Sequence, residues 1–486
     1  ERVRVIDNLI RGGVGHGITL GTIIQLDGKG DPVPPAGGDG TTTVDPCASR
    51  DPGDIFVVVE IIGTGEGGTR TGSLGALRDV VIERNRIYDM GLCGIGVIGF
   101  FDLSAVDEFI SVNGLTIIGN DISNNLWRTL APIAPADVNW MGYGGIALAD
   151  VSGLVIRDNS ISDNGSSGLE PVCGIFVLHG EGLEISRNHI TDGQRHYRYD
   201  EILDAGKTAS ASPGRRGGIN IVYALPPVIP VDVRIVGKAI EQSGVPAAKI
   251  HDNVVAVTLG QSLSLSGVGP MSVQGNQFTT RGVVKSGPSS TFLAANVAIL
   301  NLGLSNEIYL QLAAFTMIAN GSLDLSNFSG ALAQPASGLD DAGIGRLLAN
   351  GNVLFSGNQC VLDLIQAGMS LAFSSIGIFS LDDIHFHGNQ CDCNLLDDLV
   401  LTHALLFGFS LRLNDNRFKE GVLNALFSAV ALGFMASVVG NQSTHCLFVR
   451  GFVPALTLAN SNRVMMDALN SGFCKKYAAL ASNFGR

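Results

Sequence analysis

The chain has 486 residues, of which 45% are hydrophobic and only 15% charged, and its net charge is −13. That charge argues against nucleic acid and anionic membranes as partners, and against an acidic polysaccharide unless calcium bridges the two. Glycine, at 63 residues, has nearly twice its usual share, and eight cysteines are too few for a disulfide scaffold of this length.

One phrase recurs along the chain. Apolar residues stand five and three places before an Asn, and another stands two places after it. It is first seen as Val3, Val5, Asn8, Ile10, and next as Val80, Ile82, Asn85, Ile87. Leu115, Ile117, Asn120, Ile122 follow, then Leu154, Ile156, Asn159, Ile161 and Leu183, Ile185, Asn188, Ile190. The series resumes with Ala248, Ile250, Asn253, Val255 and Met271, Val273, Asn276, Phe278. Val353, Phe355, Asn358, Cys360, then Ile384, Phe386, Asn389, Cys391 and Leu411, Leu413, Asn416, Phe418 complete it, with Asn441 a weaker addition. A spacing of two is a strand period, so each phrase predicts a strand, a bend at the Asn and a second strand. Asn tolerates left-handed backbone, which a bend requires, and stacked Asn amides can bond from one unit to the next. Recurrence at 23 residues (Asn253 to Asn276) to 39 (Asn120 to Asn159) indicates a solenoid, whose units bury their apolar faces only by stacking.

A second phrase follows five of the Asn phrases: Gly17-Ile, Gly94-Ile, Gly145-Ile, Gly174-Ile and Gly218-Ile. It predicts a further strand of the same coil. The reading is an all-β, single-stranded right-handed parallel β-helix over 1–464, with long insertions at about 27–75, 124–143, 194–216 and 279–350. Residues 465–486 read as a capping segment, a short helix. The opening at Glu1, in the middle of a coil, reads as the start of a fragment whose preceding domain is missing. Residues 422–439 are nearly uncharged and long enough for a bilayer, but fully buried parallel strands also read as continuous apolar runs, and a buried coil is the expectation.

The phrases Gly15-His-Gly-Ile-Thr-Leu-Gly, Gly94-Ile-Gly-Val-Ile-Gly-Phe-Phe-Asp-Leu, Glu170-Pro-Val-Cys-Gly-Ile-Phe-Val-Leu-His-Gly and Leu401-Thr-His-Ala-Leu-Leu-Phe-Gly-Phe-Ser resemble those of right-handed parallel β-helix proteins. That is the architecture of pectate lyases and many tail-spike proteins. More narrowly, the chain resembles bacterial β-helix repeat proteins with an N-terminal domain of unknown function. The resemblance spans most of the chain and implies the fold. It does not select an activity, because this scaffold carries many.

Enzymes of the resembled architecture work from the outer face of one sheet or a groove beside it. Gly15-His-Gly is similar to a motif of polygalacturonase-like hydrolases, but the Asp pair that would protonate and hydrolyse a glycosidic bond is not recognisable in neighbouring coils, and His16 reads as a packed corner residue. The run 382–393 holds two His, two Cys and three Asp. Its register sends His385 and His387 outward and Cys391 and Cys393 inward, so they cannot share an ion. Asp89, Asn124, Asp163 and Asp192 form a column that reads as turn residues, with calcium as the alternative. Cys93, Cys173, Cys360 and Cys391 read as small core hydrophobes.

Insertions mark one corner. Three successive coils enlarge the connection between the Asn phrase and the Gly-Ile phrase, placing Trp127, Trp140, Tyr143, Glu170, Arg195, Tyr197 and Tyr199 on one side of the stack. Aromatics with Arg and carboxylates are what sugar or protein recognition uses. The expectation is a non-enzymatic, elongated structural or binding module of a larger bacterial surface, secreted or tail-like assembly, with a protein, a polysaccharide or a further copy of the chain as partner. It includes no cofactor, metal or membrane span, and an extracellular or cell-surface location. The rival is a polysaccharide lyase or glycoside hydrolase using Glu170 with His196, Arg198 or Asp200.

Overall fold

The computed structural model describes residues 2–20, 23–26, 70–73, 77–97, 111–127, 142–165, 172–192, 216–227, 246–257, 260–280, 295–303, 351–364, 374–395, 400–421, 425–451 and 457–464. These form a parallel β-helix. Each coil has three strands: one before the Asn, one after it and one at the Gly-Ile phrase. The first and third kinds merge into a 21-stranded sheet, and the second kind makes a 12-stranded sheet. In coil four, counted from Asn8, the three are Val155–Arg157, Ser160–Ser162 and Val172–Glu181. All pairings in these two sheets are parallel. Among the described residues one pair is antiparallel, Ile23–Leu26 with Arg70–Ser73, at the root of the first insertion.

Register follows the sequence phrase. Ile82, Ile117, Ile156, Ile185 and Ile250 pair in series three places before the Asn. Ile87, Ile122, Ile161 and Ile190 do so two places after it. All are essentially without solvent contact. Burying each aliphatic side chain contributes about 1.5–3 kcal/mol, and stacking alone makes that burial possible. In the later coils the columns turn aromatic, and Phe355 and Phe386 stack at 5.1 Å.

Between the columns runs a ladder of amides. Each Asn Nδ2 donates to the Oδ1 of the Asn one coil on: Asn8 to Asn85 at 2.9 Å, Asn120 to Asn159 at 2.9 Å, Asn159 to Asn188 at 2.9 Å, Asn188 to Asn253 at 3.0 Å. The file continues through Asn276, Asn358, Asn389 and Asn416 to Asn441 and reaches Asn462, its last member among the described residues, a position that the phrase does not reveal because Thr457 replaces its first apolar residue. The same Oδ1 accepts the backbone N–H of the preceding Asn, as in Asn159 N to Asn188 Oδ1 at 3.1 Å.

The left-handed residue at the bend is not the Asn. It is the residue before it: Asp7, Arg84, Gly119, Asp158, Arg187, Asp252, Gly275, Gly357, Gly388, Asp415, Gly440 and Ser461 all have φ between +51° and +73°. The reason is steric. The Asn side chain must point inward to join the ladder, so the reversal falls on a neighbour whose side chain points out. Four of those neighbours form two pairs across coils, Arg84 with Asp7 and Arg187 with Asp158, each through two N–H donors at 2.7–2.9 Å.

The expected insertion at 279–350 is interrupted. Val297–Asn301 is a coil strand, paired on one side with Gln261–Gly267 and on the other with Ser374–Ser380. Its phrase lacks the Gly-Ile signature because Asn296 stands where earlier coils have Gly. The apolar run near 422–439 is a strand, Ala425–Val439, paired with Val400–Asn414, Cys446–Gly451 and Thr457–Asn460. No helix among the described residues is long and apolar enough to cross a membrane. The proposed cap at 465–486 lies outside the described residues.

Candidate functional site

The corner between the second and third strands is tightly closed in the first coils. Gly12, Asp89, Asn124 and Asp163 turn it with left-handed backbone, so three of the four polar residues of that column are turn-formers. One residue further on, Asn125 donates to Asn164 Oδ1 at 2.9 Å, a short second amide ladder. A Cβ on Gly145 would lie 2.5 Å from Ile161 Cγ2 and 2.8 Å from the Gly174 carbonyl oxygen, which is why Gly begins the third strand here. The corner of coils four to six encloses a cavity of about 20 Å³, lined by Asn164, Cys173, Thr191, Asp192, Gly217 and Val257. That is room for one water.

Of the residues expected to cluster at this corner, two are described. Trp127 is 47% exposed, and its indole Nε1 donates to the Asp89 carbonyl at 3.0 Å. Tyr143 starts the third strand of coil three, is buried, and has its phenol pushed well up, first by burial and then by the nearby Cys93. Trp140, Glu170, Arg195, His196, Tyr197, Arg198, Tyr199 and Asp200 lie outside the described residues.

On the same three coils, the outer face of the third strands carries a polar column. Asp150, His179 and Tyr223 are in direct register. His179 Nδ1 bonds to Asp150 Oδ1, and both side chains are about a quarter exposed. Tyr223 is 37% exposed. Ser152 and Glu181, two residues further along, are in register with each other and partly exposed. Beside this column, Cys173, Phe176 and Leu178 form an apolar cluster separate from the interior, with Val222 packed against it. Each member of the polar column stands five places after the Gly of its Gly-Ile phrase. That count finds it in sequence once Gly145, Gly174 and Gly218 are aligned. The chemistry available is a fixed imidazole, a phenol and a carboxylate on a rigid, half-exposed sheet.

A second polar group is closed to solvent. Where early coils have Gly at the start of the third strand, later ones have Ser262, Asn296, Ser375, His403 and Ser428, all fully buried. His403 Nδ1 lies 3.1 Å from Glu420 Oε1, and Ser428 Oγ donates to Glu420 Oε2 at 3.0 Å. His445 N donates to Ser428 Oγ at 3.0 Å. Cys393, also buried, pairs with Glu420, and its thiol is pushed up by burial and then by that carboxylate. With no solvent access, this group is part of the frame rather than a binding site.

The remaining motifs fall into place. His16 is mostly buried, its pKa lowered to about 4 by that burial. Cys93, Cys173, Cys360, Cys391 and Cys393 are free and buried, and burial pushes Cys93 up to about 12. Cys360 and Cys391 are in register within the core. His385 faces out beside Arg412, and its pKa is lowered by burial and then by that guanidinium. Among the described residues no group of three or more His, Cys, Asp or Glu is placed to hold a metal ion.

Coiled parallel sheets locked by an amide ladder, with functional groups on the outer strand face, define a β-helix solenoid. Residues 61–311, more than half of the chain, match the family described as the right-handed beta helix region, and the chain belongs to that family. Comparison with curated proteins found no match, nor did comparison with solved structures.

Proposed function

We propose that the protein is an elongated β-helix binding module of a larger bacterial surface, secreted or tail-like assembly, and that it recognises saccharide on the outer face of coils three to five. The observation that carries this reading is the Asp150–His179–Tyr223 column: polar side chains held in line and partly exposed over the buried Phe176 cluster, on three coils that also enlarge one corner. A sugar needs hydrogen bonds and apolar contact, and the Tyr223 ring, 37% exposed, offers the second. A rigid sheet supplies them without ordering cost on binding.

The net charge of −13 favours a neutral glycan over an acidic one. Titration calorimetry with a panel of neutral and acidic oligosaccharides tests the reading. Binding of a neutral chain that weakens at least tenfold in Tyr223→Ala supports it. Equal binding by wild type and Tyr223→Ala, or no binding by any oligosaccharide, refutes it.

A further inference from the structure

We infer that Cys446 and Cys474 are joined in a disulfide that ties residues 465–486 to coil eleven. The inference stands apart from the saccharide reading.

Cys446 is disulfide-bonded. It opens the third strand of coil eleven, Cys446–Gly451, in register with Phe427 one coil earlier. Of the eight cysteines, Cys93, Cys173, Cys360, Cys391 and Cys393 are thiols. The partner is therefore Cys47 or Cys474, both outside the described residues. Distance along the stack separates the two. Cys47 belongs to the insertion rooted at Ile23–Leu26 and Arg70–Ser73 on coil one, about 48 Å away at one strand spacing per coil. Cys474 follows Val464 by ten residues, and Val464 stands on coil twelve, in register with Ser443 of coil eleven. Ten residues reach up to about 33 Å, enough to return to the start of the third strand. Closing a loop of 28 residues, from Cys446 to Cys474, also costs less entropy than closing one of 399, from Cys47 to Cys446.

The five thiols complement this bond. Each is at most 2% exposed, and burial raises the pKa of Cys93, Cys391 and Cys393. They stay protonated and out of reach of an oxidant. The step balances by thiol–disulfide exchange. One thiolate of the pair attacks an external disulfide of the kind a dithiol oxidoreductase carries, and the second thiolate then displaces that carrier from the mixed disulfide. The chain gives up two protons and two electrons, and the carrier leaves as its dithiol. Such a bond persists where the surroundings are oxidising, which fits the surface or secreted setting proposed above.

The test is peptide mapping of the whole folded chain, alkylated without reductant and then cut with trypsin. Arg450 and Arg463 separate the two cysteines, so the peptide ending at Arg450 should be found linked to the peptide Val464–Lys475, and reduction should release both. Cys446 found alkylated, or linked to the peptide that holds Cys47, overturns the inference. Hydrogen exchange gives an independent reading. Cys446→Ser and Cys474→Ser should each speed exchange at least about tenfold in Cys446–Gly451 and Thr457–Asn460. The double variant should be no faster than either, because the same bond is lost in all three. Cys47→Ser should match wild type, and every variant should keep wild-type exchange in the distant strand Val155–Arg157, which shows that it is folded. Exchange that Cys474→Ser leaves unaltered, or that Cys47→Ser speeds as much as Cys446→Ser does, overturns the inference.

Discussion

Replacing Asn188 by Ala should show what the ladder is worth. Its Oδ1 accepts from Asn159 N at 3.1 Å and Asn159 Nδ2 at 2.9 Å, and its Nδ2 donates to Ile156 O at 2.9 Å and Asn253 Oδ1 at 3.0 Å. Some partners keep other bonds: Asn159 Nδ2 still reaches Ile117 O, and Asn253 Oδ1 still accepts from Asn188 N. The Ile156 carbonyl keeps its place in the parallel ladder with the next strand, so the buried group that loses its partner is the Asn159 backbone N–H. An unsatisfied buried polar group costs about 1–3 kcal/mol, so Asn188→Ala should cost about 2 kcal/mol. Asn8 stands at the exposed end of the file and passes its amide in one direction only. Its Ala variant leaves no buried group orphaned and should cost under about 1 kcal/mol. Urea denaturation followed by far-ultraviolet circular dichroism measures both. Equal midpoints for Asn188→Ala and Asn8→Ala would refute the reasoning.

Three further outcomes follow from the same geometry. Glu420→Ala strands His403 and Ser428 in the interior and should cost about 3 kcal/mol, seen as loss of hydrogen-exchange protection in the strands around 400–446; unchanged protection there would contradict it. Gly145→Ala drives a methyl into Ile161 and the Gly174 carbonyl and should cost about 1–3 kcal/mol, whereas Gly15→Ala, with nothing within 4 Å, should be neutral within about 0.5 kcal/mol; equal thermal midpoints would count against the close corner. His16 has a folded pKa of about 4 against 6.5 for the free group, so the unfolded chain takes up the proton first. Stability is then full above pH 6.5 and falls as pH drops from 6.5 to 4, by about 2 kcal/mol after allowing for partial exposure. Hydrogen exchange of residues 2–20 should show that loss, and His16→Asn should abolish it.

The fold is legible in this sequence because each coil repeats the same physical problem. Ile82, Ile117, Ile156 and Ile185 must all face one interior, so the spacing of two survives every insertion. Asn120, Asn159 and Asn188 stand in single file because the alternative is an unsatisfied amide. The bend was harder to read. Its left-handed residue changes identity from Asp158 to Arg187 to Asp252, since its side chain faces water and core packing does not select it. The strand at Val297–Asn301 was hidden for a related reason: Asn296 and Ser262 bond to each other at 2.6 Å and fill the corner that Gly leaves in earlier coils. Asp150 and His179 are legible only once Gly145 and Gly174 are aligned, for another reason. They meet only across two coils, 29 residues apart, and each alone is an ordinary polar residue at a strand end. Of the expected loop site, Trp127 and Tyr143 can be placed, the first exposed and the second packed inside.

A crystallographic map of the side chains between Asn8 and Asn462 is the direct trial of the coil itself. The stack predicts one unbroken line of Nδ2-to-Oδ1 contacts at 2.8–3.2 Å, each amide also receiving its neighbour's backbone N–H. Density placing Asn120, Asn159 and Asn188 on different faces, or out of contact with one another, would contradict it.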